Sequence, residues 1–502
     1  MTDYDILIRN GTLVDGSGAP RRRADVGIRA QRIAAVGELA AMRGAREIDA
    51  AGRIVAPGFI DAHTHDDHYL ILEPAMPAKL SQGVTTVVTG NCGISLAPWR
   101  AEPGAVVPAP LNLLGHDPAG FRFQTFAQYL ARLEAEPAAV NVACLVGHTT
   151  LRVATMDSLD RAASAEEIAH MRDMLEEAMQ SGAIGLSTGA AYPTAMPATT
   201  HEMAQVAQIA GLHGGIYASH IRDEADHVLE AMDEAFDIGR TARAPVVISH
   251  HKLIGPRNHG RSVQTLAHVR RAMAQHPIAL DCYPYCAGST ILRKDRIPVS
   301  SRIIVTQSEP RPEFAGMDLD AIAEILGLSL EDTVDALQPA GAIYFLMDEG
   351  DVQRVLAFPR TMIGSDGLPH DAAPHPRLWG TFARVLGHYC RDLQLFSLEE
   401  AVHKMSGLTA QHFRLPGRGV VQQGAFADIT IFDAARIADM ATWEAPTRRA
   451  EGIETVIVNG RVAWCDGAAT AARGGAVVRL TDSPTPVPPG KTPRPAPASA
   501  AD

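Results

Sequence analysis

The 502-residue chain is predicted to be an α/β protein. Its core is read as a (β/α)8 barrel over residues 57–414, with a small β-sandwich domain built from both termini (1–56 and 415–480). A lid insertion at 285–348, between the seventh and eighth barrel strands, completes the expected architecture. Three observations lead there. Eight short apolar runs alternate with helix-like segments through the middle of the chain, as a parallel barrel requires. Strand-like texture occurs at both ends. The interval between the seventh and eighth runs, Asp281 to Thr361, is about twice the length a simple strand–helix unit needs.

The N-terminal part supplies the first strands. Tyr4 to Arg9 alternates, Asn10-Gly11 follows, and Thr12 to Val14 resumes, which reads as a hairpin. Val26 to Ile28 and Ile33 to Val36 continue the pattern, and it returns at Ala427 to Phe432 and at Thr455 to Val458. There Asn459-Gly460 leads into Arg461 to Trp464, a second hairpin signal. The barrel runs are Phe59-Ile60, Val84 to Val88, Val142 to Val146, Ile184 to Leu186, Ile216 to Ala218, Val246 to Ile248, Ile278 to Leu280 and Thr361 to Ile363. Between them the clearest helix spans Glu166 to Gln180, opened by Ser164 with Glu167 three residues on and stopped by Gly182. The insertion holds a strand at Arg302 to Thr306 and helices starting near Asp318 and Ser329. The proline-rich tail, 483–502, reads as disordered.

Composition narrows the function classes. An apolar fraction of 46% is that of a globular chain, and a formal net charge of −12 argues against a general nucleic-acid binder, which needs a basic footprint. No basic segment followed by an apolar run opens the sequence, and no apolar stretch of about 18 residues is long enough for a membrane span. Six scattered cysteines without scaffold spacing point to reduced thiols in a cytoplasm. The oligomeric state is not legible.

The chemistry-bearing residues sit at strand ends. Pro57-Gly-Phe-Ile-Asp-Ala-His63-Thr-His65 places two imidazoles on one side of a strand, where they can grip one metal. Cys92 follows the second run between Gly90 and Gly93; His220 ends the fifth, His250 the sixth and Asp366 the eighth. Each alone has a plain structural reading, an exposed strand histidine or an inert buried thiol. Together, on the face where such barrels carry their active sites, two imidazoles and a thiolate suit Zn²⁺ with a position left for water. Asp366 is the candidate to take and return a proton.

These motifs resemble the amidohydrolase superfamily. Within it, Gly90-Asn-Cys-Gly93, Gly185-Leu-Ser-Thr-Gly189, Tyr217-Ala-Ser-His-Ile-Arg222, Gly364-Ser-Asp-Gly-Leu-Pro369 and Pro374-His-Pro-Arg-Leu-Trp-Gly380 look like the N-acyl-D-amino-acid deacylases. The resemblance extends from the N-terminal strands to about Arg479. It implies one tight zinc on Cys92, His220 and His250, with the cysteine bridging to a weaker position at His63 and His65, and Asp366 nearby. It also implies that Lys252, Tyr283, Ser289 and Arg377 receive the substrate carboxylate. The reaction expected is zinc-dependent hydrolysis of a small N-acyl-D-amino acid to the D-amino acid and an acetate-like carboxylate. A cyclic-amide hydrolase is the alternative, disfavoured because the fourth run, Ala183 to Ser187, lacks a bridging lysine.

Two features bear on the side chain preferred. Tyr344 and Met347 read as lining an apolar pocket, favouring hydrophobic or Met-like substrates over D-glutamate derivatives. Arg293-Lys-Asp-Arg296 reads as a solvated surface run. His148, ending the third run, reads equally as a substrate contact or a structural residue, and Cys282 and Cys286 as incidental.

Overall fold

The computed structural model describes residues 2–480; the expected tail disorder falls outside the described residues. Eight parallel strands organise the middle of the chain: β1 (Phe59–Asp61), β2 (Val84–Thr89), β3 (Asn141–Cys144), β4 (Gly185–Gly189), β5 (Ile216–His220), β6 (Val246–Ile248), β7 (Ile278–Cys282) and β8 (Thr361–Ile363). They form a three-stranded sheet in the order β3-β2-β1, and a six-stranded sheet that starts with the short strand Val146–Gly147 and runs through β4 to β8. The third apolar run is therefore split at Leu145, whose N–H turns to the Thr89 carbonyl of β2 at 2.9 Å. Backbone bonds link the two sheets on either side. Ile184 donates to the Cys144 carbonyl at 2.9 Å, and Ala62 to the Ile363 carbonyl at 3.1 Å. Nearly every strand position is buried, the pattern of parallel strands covered on both faces.

Helices cover the outside of these strands. The best-marked one runs Ala165–Ser181, with the Ser164 hydroxyl accepting from the Glu167 N–H and the Glu167 carboxylate accepting from the Ser164 N–H. Met171, Leu175, Ala178 and Met179 are its buried stripe. Among the described residues no helix is long and apolar enough to cross a membrane.

Both ends of the chain meet in two further sheets. One is four-stranded, with Tyr4–Arg9 between Asp25–Arg29 and Gly44–Asp49. The other is seven-stranded and places Ile429–Phe432 of the C-terminal part against Ile54–Pro57 of the N-terminal part. Ile6, Ile8, Val26, Ile28, Val55, Ile429, Ile431 and Ile457 share one core between them. Here one expectation fails and its twin holds. Asn10 does take the left-handed turn (φ 62°), but Thr12–Leu13 pairs with Ile54–Val55 instead of with Tyr4–Arg9. The turn carries the chain from one sheet to the other, because the apolar positions on its two sides belong to different faces. Asn459-Gly460 (φ 47° and 75°) does close a two-residue hairpin, with Val458 opposite Arg461.

Between β7 and β8 a separate antiparallel sheet forms, with Ala340–Phe345 between Ala287–Ile291 and Ile303–Ser308. Helices Leu319–Leu326 and Leu330–Leu337 start after Asp318 and Ser329, as expected; the Ser329 hydroxyl caps the second, and both pack on the sheet through Ile322, Val334 and Leu337.

The terminal sheets are joined to the parallel strands by a buried polar knot. Asp428 accepts from Arg418, from Asn141 Nδ2 at 3.1 Å and from the Asn459 N–H at 2.8 Å. Arg418 and Asp428 are 6% and 4% exposed, so neither can fall back on water. Asp428→Ala removes one partner and leaves the guanidinium buried and uncompensated, which is expected to cost about 3–5 kcal/mol. Chemical denaturation of the variant should show this as a lower midpoint, and an unchanged midpoint would remove the knot from the stability of the fold.

Candidate metal centre and active site

The residues singled out at strand ends do meet. Cys92 Sγ lies 3.2 Å from His63 Nε2 and 3.3 Å from His250 Nε2. His250 Nε2 lies 3.1 Å from His220 Nδ1. On the other side Asp366 Oδ1 is 3.5 Å from His63 Nε2 and 3.2 Å from His65 Nε2. All six residues are buried.

Three of them sit in left-handed backbone: Cys92 (φ 53°), His250 (φ 34°) and Asp366 (φ 48°). Such positions cost of order 1–3 kcal/mol each for residues other than glycine, and persist only where the surroundings dictate them. They are dictated here by hydrogen bonds. Asp366 N–H donates to the His63 carbonyl at 2.7 Å, and His250 N–H to Asp281 Oδ1 at 2.8 Å. Ahead of Cys92, Gly90 (φ 75°) passes so close to the Leu145 carbonyl that a Cβ would fall 2.0 Å from its oxygen. Glycine is needed there for both reasons, and the close passage turns Cys92 inward.

Acids behind the imidazoles orient them. Asp281 approaches His63 Nδ1 at 3.2 Å and Glu224 approaches His250 Nδ1 at 3.2 Å, so each Nε2 faces Cys92. Lys252 pairs with the same Glu224 at 2.6 Å. Burial pushes His63 down to about 3 and also lowers His250 and His220. The imidazoles are thus kept neutral, which is the form that ligates. Burial pushes the Asp366 carboxyl up, but Arg377 Nη1 at 2.9 Å and the neighbouring histidines outweigh it and hold it well below the usual carboxylate range. Burial, reinforced by the nearby Asp366 charge, pushes the Asp281 carboxyl up to about 7.

This donor set fits a metal ion. A zinc-centred tetrahedron with bonds of roughly 2.0–2.3 Å has edges of about 3.3–3.8 Å. The Cys92–His63, Cys92–His250 and His250–His220 separations all lie near that range. Burial pushes the Cys92 thiol well up, so a thiolate here calls for a cation beside it. His63, Cys92, His250 and Asp366 converge within 4.8 Å of one another.

The site opens into a cavity. Its wall carries His65, His220, His250 and Asp366, and of the expected substrate residues Lys252, Tyr283, Ser289 and Tyr344. Tyr283 Oη is buried without a hydrogen-bond partner. Arg377 stands behind Asp366, its guanidinium 4.5 Å from the Tyr283 ring centre and its Nη2 donating to the Ser289 carbonyl at 3.1 Å. Met347 lines a different, smaller cavity with His251, Cys282 and Val352, so it does not share an apolar wall with Tyr344. The run 293–296 is not wholly solvated either. Arg293 and Arg296 lie on the cavity wall, with Arg296 Nε buried and unpartnered. His148 lies off this wall, 3.3 Å from Glu202. Glu224 and Asp281, which stand behind the imidazoles, and Tyr192, which lines the cavity, carried no expectation from the sequence. Only Glu224, four residues after His220, carried a spacing signal.

Comparison with known proteins agrees with this geometry. The amidohydrolase family model matches residues 46–298 and 321–464. A D-aminoacylase of Alcaligenes xylosoxydans xylosoxydans is 58% identical over 479 residues, covering 95% of this chain and 98% of the relative. A solved D-aminoacylase, described by a binuclear metal centre with one-metal activation and second-metal attenuation, superposes with a TM-score of 0.92 at 56% identity. That match covers 95% of this chain and all of the other. The N-acyl-D-glutamate deacylase of Bordetella bronchiseptica, solved with zinc and a phosphonate mimic of the tetrahedral intermediate, gives 0.91 at 47% identity, over 95% and 99% of the two chains. The chain belongs to the amidohydrolase family, among relatives that include the D-aminoacylases.

Proposed function

We propose that this protein hydrolyses N-acyl-D-amino acids to a D-amino acid and an acetate-like carboxylate, with zinc as its metal. The observation that carries the reading is the unbroken line of donors from His65 through Asp366, His63, Cys92 and His250 to His220, opening on the cavity that holds Lys252 and Tyr283. The names of the D-aminoacylase and D-glutamate deacylase relatives support the substrate class. The architecture we attach to it is a (β/α)8 barrel over 57–414, a lid at 285–348 and a β-sandwich from 1–56 and 415–480.

Cys92, His220 and His250 would hold the tight zinc, and His63 and His65 a second, weaker one. Bound there, zinc supplies Lewis-acid polarisation of the amide carbonyl and a water of lowered pKa. Asp366, kept ionised by Arg377, takes the proton released as water attacks and returns it to the leaving nitrogen. Tyr283, with its free hydroxyl, and Lys252 receive the carboxylate beside the scissile bond, and Arg377 and Ser289 complete that subsite.

For the side chain, Leu113, Ile254, Tyr344, Leu346 and Leu368 on the cavity wall favour hydrophobic or Met-like substrates. A second reading, an acidic side chain, is favoured by the unpartnered Arg296 Nε on the same wall.

Three outcomes are expected. The purified protein carries about one tightly held zinc per chain, and His220→Ala loses both metal and activity, as elemental analysis would record; full occupancy in that variant would take His220 out of the ligand set. Asp366→Asn keeps the tight zinc but loses at least about a hundredfold in kcat, because an amide cannot accept the proton; near-native turnover would hand that role to another group. On a panel of N-acetyl-D-amino acids, Arg296→Ala leaves the methionine-to-glutamate rate ratio unchanged. A selective loss of about ten- to a hundredfold on the glutamate derivative, the worth of a charge-assisted bond, would establish the acidic reading instead.

A further inference from the structure

Lys79 is a fully buried cation that the chemistry above does not use. It stands on the helical turn Pro77–Leu80, between β1 and β2. Its ammonium donates to Asp61 Oδ2 at 2.8 Å, Thr64 Oγ1 at 2.9 Å and Ser365 Oγ at 3.0 Å, and lies 3.2 Å from Asp66 Oδ2. All four partners are fully buried as well. A lysine is kept out of water only where such partners offset its desolvation.

The identity of the partners is what matters. Thr64 stands between His63 and His65, Asp66 follows His65, and Ser365 precedes Asp366. None adjoins Cys92, His220 or His250. Asp61 extends the same link: its Oδ1 accepts from the His63 N–H at 3.3 Å and the Ser365 N–H at 2.8 Å, and its Oδ2 accepts from Ser365 Oγ at 2.6 Å. Ser365 Oγ is then saturated, donating its one proton to Asp61 while accepting from Lys79 and from the Gly367 N–H at 3.1 Å. Backbone bonds across the same seam, Asp366 to His63 and His65 to Gly367, fix direction along the strands. The side-chain cluster fixes how the two segments sit against each other.

We propose that Lys79 is a positioning residue, whose ammonium clasps the His63–His65 segment to the loop of Asp366 and so sets that carboxylate against the reacting amide. The inference rests on the roles proposed for Asp366, His63 and His65. It separates two halves of the site: the clasp governs the half at β1 and β8, and leaves the half at Cys92, His220 and His250 alone.

The test uses full-length, zinc-loaded Lys79→Met and Ser365→Ala, with N-acetyl-D-methionine as substrate. Lys79→Met leaves two carboxylates without their cation and can fail to fold. Ser365→Ala breaks the same link without unpairing a charge, so it decides the question by itself. In folded variants kcat should fall about ten- to a hundredfold, as for other groups that orient metal-site residues, while tightly held zinc stays at the wild-type content. KM should stay within about twofold, since ground-state binding is untouched. Titration with zinc alone should show weaker binding of a second ion. An unchanged kcat in Ser365→Ala, or a fall matched by loss of the tight zinc, would overturn the proposal. Failure of the wild-type protein to hydrolyse the substrate would sink the proposed function instead, and the zinc titration of Ser365→Ala would still decide the clasp.

Discussion

The sulfur of Cys92, held 3.2 Å from one imidazole and 3.3 Å from another, is the contact around which the rest of this structure is arranged. To bring it there, the chain after β2 enters left-handed backbone at Gly90, Cys92 and Gly93 and leans on β4, where the Ser187 hydroxyl accepts from the Gly93 N–H at 2.9 Å. A thiol so deeply buried prefers its proton, and the surrounding imidazoles prefer to be neutral. The cluster therefore presents lone pairs rather than charge, and its geometry suits a cation better than it suits itself.

Charge is supplied one layer further out. Asp281, Glu224 and Asp61 stand behind His63, His250 and the His63 N–H, and two of them are matched by lysines, the partly buried Lys252 on Glu224 and the fully buried Lys79 on Asp61. Asp366 is matched by Arg377. Each carboxylate thus meets a cation or an imidazole, as buried charges must. The arrangement also assigns tasks. Groups facing the cavity stay available to a substrate, while those behind them fix tautomer and direction.

The insertion between β7 and β8 has its own core and its own caps, yet it is not a separate module in effect. It contributes Ser289, Tyr344, Arg293 and Arg296 to the same wall that carries His65, His220, His250 and Asp366. That wall is mixed, with leucines and tyrosines beside two guanidinium groups. The strand ends supply the histidine, cysteine and aspartate cluster; the insertion supplies part of the wall beside it.

Much of this was legible in the sequence. Apolar runs of strand length place the ends of β1 to β8 within three residues, because parallel strands buried on both faces are largely apolar. The capped helix at Ala165–Ser181 and the hairpin at Asn459-Gly460 follow from local chemistry that needs no tertiary help. His63, His65, Cys92, His220, His250 and Asp366 were visible for the same reason, since each ends a strand, and strand ends of one parallel set share a face. What only the tertiary structure decided are contacts between segments far apart in sequence. The turn at Asn10 looks like the one at Asn459, but the core on either side sends its strands into different sheets. Arg296 lies on the cavity wall and Met347 on a second, smaller cavity, placements that follow from how the segment between β7 and β8 packs through Ile322, Val334 and Leu337, which no local spacing encodes. Lys79 lies 286 residues from Ser365, and a lone lysine among apolar neighbours gives no sign of its partners. Burial turns such a residue from a solvated charge into a fixed one, and burial belongs to the fold as a whole.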